Sequence, residues 1–157
     1  MRSFNKEILQ FISHKDFEKN LNSLHKFPMK KTINALFSFL SSTDKLVKEN
    51  AILAMGEIVS KIADSDLESA RTIMRRLTWS LNEESGWIGW GSAEVMGEIM
   101  ARNEKLAEEY HKLLISYISE GENYLLFEKL RKEVILGLKR LSMVRPHFVK
   151  DVSHLLN

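Results

Sequence analysis

Asn50-Ala-Ile-Leu-Ala-Met-Gly-Glu-Ile58 and Gly91-Ser-Ala-Glu-Val-Met-Gly-Glu-Ile99 repeat one another at an offset of 41 residues. A fainter third echo, Leu136-Gly137, follows 40 residues after Met96-Gly97. A period near forty is the signature of a helical repeat array, in which each helix pair buries its apolar face on the next. Gly56, Gly97 and Gly137 fall inside the expected helices, where each costs about 1 kcal/mol relative to alanine. Three such costs at one repeat phase require a compensation. The physical one is close approach of a neighbouring helix, which a β-carbon would obstruct.

The flanking sequence carries the same period. Met29, Ile33, Leu36, Phe37 and Leu40 form one stripe behind Pro28, which suits a first helical position. Val47, Ala51, Met55, Ile58 and Ile62 form the next, with Asp44 as its N-cap. Ser65-Asp-Leu-Glu68 reads as a capping box before Leu67, Ala70, Met74, Leu77 and Leu81. Asn103 caps a helix bearing Leu106, Tyr110, Leu113, Leu114 and Tyr117, which Gly121 would close. Phe127, Leu130, Val134, Leu138 and Leu141 make a further face, and Pro146 opens a short terminal helix. Phe4, Ile8, Leu9 and Ile12, then Phe17, Leu21 and Leu24, predict two shorter helices at the start. No stretch alternates with period two. The expected fold is all-α: about nine helices and no sheet, a short α-solenoid of antiparallel helix pairs over a single domain, 1–157.

The chain has 157 residues, 44% hydrophobic and 28% charged, as an ordinary globular domain does. It has no cysteine, so disulfides and thiolate metal sites are excluded. The charged opening Met1-Arg-Ser-Phe-Asn-Lys-Glu is unlike a signal peptide, and no apolar run approaches the ~18 residues of a membrane span. The expected setting is cytoplasmic, without membrane association. Net charge is +2, unevenly spread: residues 82–109 carry a local net of −5 and residues 121–157 a local net of +3. Most of these charges read as solvated helix faces, but the asymmetry bears on partner choice.

Asp44-x-x-Val47-Lys48-x-x-Ala51-x-x-Ala54-Met55-Gly56-x-Ile58 resembles the second-helix signature of HEAT-like repeats, notably the short phycobilisome-lyase-like kind. Val47-Lys48 stands where that family shows Val-Arg, and Met55-Gly56 where it shows Leu-Gly. The second copy keeps Met96-Gly97-Glu98-Ile99 but has Ile88-Gly89 at the basic position, and the third keeps only Leu136-Gly137. The resemblance implies an α-solenoid with first helices outside and signature helices on the concave side. It also implies a protein-binding scaffold in most cases, DNA binding or help to cofactor chemistry in a few.

Asn82-Glu-Glu-Ser-Gly-Trp-Ile-Gly-Trp-Gly91 breaks the pattern. Gly86, Gly89 and Gly91 fall within six residues, and Trp79, Trp87 and Trp90 within twelve. A turn between repeat helices needs fewer residues than this. Rigid aromatics beside accessible backbone amides suit an anchor for a peptide, and equally a plug folded over the helix ends. Arg75 and Arg76 lie one turn before Trp79 and offer cations. Glu94 and Glu98 share a helix face, and Glu57 holds the repeat phase of Glu98. On a concave wall these three would form an acidic groove beside the tryptophans, suited to a basic peptide or a cationic ligand. The glycine spacing is not a dinucleotide fingerprint, and the five scattered histidines form no HxxxH or HExxH pair.

The residues therefore predict a noncatalytic protein-interaction module with no cofactor and no metal, monomeric or weakly oligomeric. Its partner site would comprise Glu57, Arg75, Trp79, Glu83, Glu84, Trp87, Trp90, Glu94 and Glu98, and its partner would be a protein or peptide of basic character. Two alternatives remain. One is a nucleic-acid-binding relative of HEAT-like DNA alkylation repair proteins, using Lys129, Arg131, Lys132, Lys139, Arg140 and Arg145; a near-neutral chain with an acidic middle disfavours it. The other is a cofactor or chromophore-lyase-like accessory protein.

Overall fold

In the computed structural model, which describes residues 2–82 and 90–157, the chain runs through seven α-helices. These are α1 (Arg2–Ile12), α2 (Met29–Phe39), α3 (Lys45–Ser65), α4 (Leu67–Leu81), α5 (Ser92–Arg102), α6 (Glu104–Ser116) and α7 (Glu128–Val144). Phe17–Lys26, Pro146–Phe148 and Lys150–Leu155 are 3-10 segments, and no strand occurs among the described residues. The all-α reading holds. The second and last expected helices are 3-10 turns rather than α-helices.

Side-chain caps set several helix starts. The Asp44 carboxylate accepts from the amides of Leu46 (3.0 Å) and Val47 (3.3 Å), and Asn103 accepts from Leu106 at 2.9 Å. The expected Ser65 capping box is displaced by one residue: α3 continues through Ser65, and Asp66 caps α4 by accepting from the Ser69 amide at 3.2 Å. The Ser69 hydroxyl donates to the other Asp66 oxygen at 2.6 Å, so a shorter acid fills the role assigned to serine. Gly121 does not close α6, which ends at Ser116; it sits at φ +86 in the turn that follows.

Buried apolar side chains form one continuous core from Ile8 to Leu156. The repeat-equivalent Met55 and Met96 are both fully buried, each contributing about 2 kcal/mol by burial alone. Helices α3, α5 and α7 pack in series, α3 on α5 and α5 on α7, while α2, α4 and α6 lie against them. Hydrogen bonds recur about one repeat apart: Arg76 to Asn34 (2.8 Å), the Gly91 amide to Glu133 (3.0 Å), Arg140 to Glu98 (3.0 Å) and Arg145 to the Met100 carbonyl (3.1 Å).

The interior glycines sit at these junctions. A β-carbon on Gly97 would lie 2.5 Å from Cα and 2.6 Å from the carbonyl carbon of Gly137, and would also strike its carbonyl oxygen. One on Gly137 would lie 2.5 Å from the Ala93 carbonyl oxygen. Real β-carbons do not approach backbone so closely, so α5 and α7 meet at a distance only glycine permits. Gly56 faces side chains rather than backbone: a β-carbon there would press on the stem of Glu98, which Arg102 and Arg140 hold in place. The helix-interior glycines are packing features, as their shared phase suggested.

Candidate functional site

Glutamates at the α3, α5 and α7 junctions form two separate polar networks. The first centres on Glu98, only 4% exposed on α5. Arg140 of α7 grips it in a fork, Nε to Oε1 and Nη2 to Oε2, both at 3.0 Å. Arg102, one turn along α5, donates to Glu98 at 2.8 Å and reaches Glu57 of α3 at 3.3 Å. The His25 ring nitrogen completes the chain, 3.2 Å from the other Glu57 oxygen. His25, Glu57, Arg102, Glu98 and Arg140 thus run as a ladder from the first 3-10 segment across α3, α5 and α7. Hydrogen bonding to Glu98 stabilises the charged guanidinium of Arg140 and raises its pKa.

This arrangement corrects the expected acidic groove. Glu57 and Glu98 are buried and paired with Arg102 of α5 and Arg140 of α7, so they present no open carboxylate surface. Sequence spacing placed both acids on equivalent positions but did not pair them with Arg102 and Arg140, because those contacts cross between helices.

Glu94 belongs to the second network. Lys48 Nζ, in the first turn of α3, lies 2.6 Å from Glu133 of α7 and 3.9 Å from Glu94 of α5. The second Glu133 oxygen accepts from the Gly91 amide. Gly91 takes φ +84 and lies against Leu40, so it needs both a left-handed backbone and the absence of a side chain. Burial pushes the Glu94 carboxyl up to about 7; Lys48 pulls the other way, while the Glu133 charge and its hydrogen bond push further up. The Trp90 ring lies just before this cluster, with Lys129 Nζ 3.2 Å from its centroid.

Trp79 lies in the last turn of α4 and is 59% exposed. Arg75 does not reach toward it: its guanidinium is drawn back along α4 to Glu68 at 2.7 Å and Thr72 at 3.2 Å. Arg76 stacks on Phe37 at 3.7 Å instead. Trp79 and Trp90 therefore flank the connection between α4 and α5. Glu83, Glu84 and Trp87 lie outside the described residues.

The basic residues named for a nucleic-acid face are largely engaged within the fold. Arg131 donates to the Leu125 and Leu126 carbonyls, Arg145 to that of Met100, and Arg140 to Glu98. Lys132 pairs with Glu128 and Lys129 covers Trp90. Among the described residues no group of three His, Asp or Glu is placed to hold a metal ion, and no helix is long and apolar enough to cross a membrane.

Sequence reasoning did not find the open cleft of about 530 Å³ between α2, the end of α3 and α4, lined by Met29, Ile33, Ile62, Ile73 and Arg76 among others. No family model matches this chain, and comparisons with curated proteins and with solved structures gave no significant match.

Proposed function

We propose that this chain is a noncatalytic protein-interaction module of HEAT-like α-solenoid build, with α2/α3, α4/α5 and α6/α7 as three successive antiparallel helix pairs. The glycine contacts and the hydrogen bonds one repeat apart support that architecture. The partner segment would bind at the edge where α4 ends and α5 begins. The single observation behind this placement is the 59% exposure of Trp79, with Trp90 across the same connection. Tryptophan is enriched among the anchors that dominate interfaces, and truncating such an anchor typically costs about 2 kcal/mol or more of binding.

The ladder shifts emphasis within the earlier partner set. Glu57 and Glu98 act in holding α3, α5 and α7 together, while Trp79, Trp90 and Glu94 remain for a partner carrying apolar and cationic side chains. A photo-crosslinking amino acid at position 79 tests this in the native lysate, with the exposed Lys112 of α6 as the comparison position. We expect a discrete partner from position 79 that position 112 does not capture. We also expect Trp79→Ala to abolish its co-purification without altering the fold. Equal capture from both positions, or co-purification indifferent to Trp79→Ala, would refute the placement.

A further inference from the structure

We infer that the cleft between α2 and α4 is a binding site for a small amphipathic anion, an apolar body ending in a carboxylate or similar head. Its volume of about 530 Å³ lies in the range of small-molecule sites rather than extended grooves. Met29, Ile33, Ile62 and Ile73 supply the apolar lining.

The polar groups decide the ligand's charge. Several are satisfied within the fold: the Thr72 hydroxyl donates to the Glu68 carbonyl, the Ser65 hydroxyl to that of Ile62, and Ser69 to Asp66. The capacity left over is donor capacity. Arg76 uses a guanidinium N–H on Asn34 Oδ1 at 2.8 Å while stacked on Phe37, which fixes its plane and leaves further N–H groups. The Asn34 carbonyl takes that bond, so its amide NH₂ is free to donate. Lys30, one turn earlier on α2, is exposed and forms no ion pair among the described residues.

The single acid lining the cleft sets the orientation. Asp66 caps the start of α4, ten residues and about 15 Å along the helix from Arg76. Its hydrogen bonds from Ser69 hold its carboxyl below the usual carboxylate range, so it is charged at neutral pH. An anionic head is therefore repelled from the Asp66 end and drawn to Arg76 and Asn34, leaving its apolar body on the isoleucines. This site is separate from the Trp79 edge and stands or falls independently of it.

Decanoate, decanol and decyltrimethylammonium provide probes of matched chain length and different head charge. Each is titrated calorimetrically below its micelle concentration. The isoleucine δ-methyl resonances of Ile33, Ile62 and Ile73 report the site. Decanoate should bind about tenfold more tightly than decanol, as one charge-assisted hydrogen-bond pair provides, and the cation more weakly than either. Lys30→Gln is a surface change that should leave the melting temperature unchanged, whereas Arg76→Gln also removes the Asn34 bond and the Phe37 stack and should lower it while the protein stays folded; each should reduce the preference for decanoate, and together abolish it. Thr72→Trp should block all three probes by filling the mouth. Equal affinity for the three heads, a preference that survives both charge variants, shifts at methyls elsewhere, or no binding at millimolar decanoate would overturn the inference.

Discussion

Gly97→Ala pits helix propensity against packing, and the structure predicts which wins. Propensity alone favours alanine by about 1 kcal/mol within a helix. The new β-carbon, however, would stand 2.5 Å from Gly137 Cα and 2.6 Å from its carbonyl carbon. Ordinary contact needs roughly 1 Å more, and the obstruction is backbone, which no rotamer change can move aside. Helices α5 and α7 must separate, which loosens the junction that also carries the Glu98–Arg140 fork. Overpacking of this kind costs about 3 kcal/mol at the upper end of its range, leaving a net loss of about 2 kcal/mol. Urea unfolding followed by circular dichroism should show a lower midpoint at unchanged slope, and the melting temperature should fall by about 4–8 °C. Gly56→Ala would press on the Glu98 stem and on Arg102, so it too should lower the midpoint, by displacing the Glu98–arginine contacts rather than backbone. A Gly97→Ala protein as stable as the parent, or more so, would refute the close approach of α5 and α7.

Glu98→Gln should cost on the order of 2–3 kcal/mol, because Arg140 is left partly buried without its charge partner and Arg102 keeps only Glu57. Chemical denaturation measures this, and the loss should change little with salt, since the pair is shielded from solvent. The raised Glu94 carboxyl makes stability pH-dependent with a definite sign. Between its ordinary value of 4.5 and about 7, the folded state retains a proton that the unfolded chain has released, so stability falls as pH rises through that window. Glu94→Gln should remove this slope, matching the parent near pH 4 and exceeding it at pH 8; an unchanged profile would show that Glu94 is not the titrating group. Asp44→Ala should cost about 1 kcal/mol by leaving the Leu46 and Val47 amides uncapped, read from the unfolding midpoint.

Helix positions and the junction glycines were legible in the chain because their determinants are local or periodic. Asp44 and Asn103 cap the helices they precede, and Met55 and Met96 share a phase and are both buried. Capping at 65–66 was misplaced by one residue, since serine and aspartate side by side offer the same local bond and only the extent of α3 chooses between them. The loop tryptophans stood out by composition, yet composition does not reveal that Trp79 is open to solvent while Lys129 covers Trp90.

The sequence by itself determined the all-helical build, the period near forty and the places where helices must touch, because side-chain periodicity and glycine cost act along the chain. Tertiary structure alone decided which charges meet. Glu94 and Glu98 are one helical turn apart, and sequence treated them alike. Folding assigns Glu98 to two arginines and Glu94 to a carboxylate neighbour and a more distant lysine. Coulombic partners and desolvation depend on distances across helices, and those distances exist only once α3, α5 and α7 have packed together.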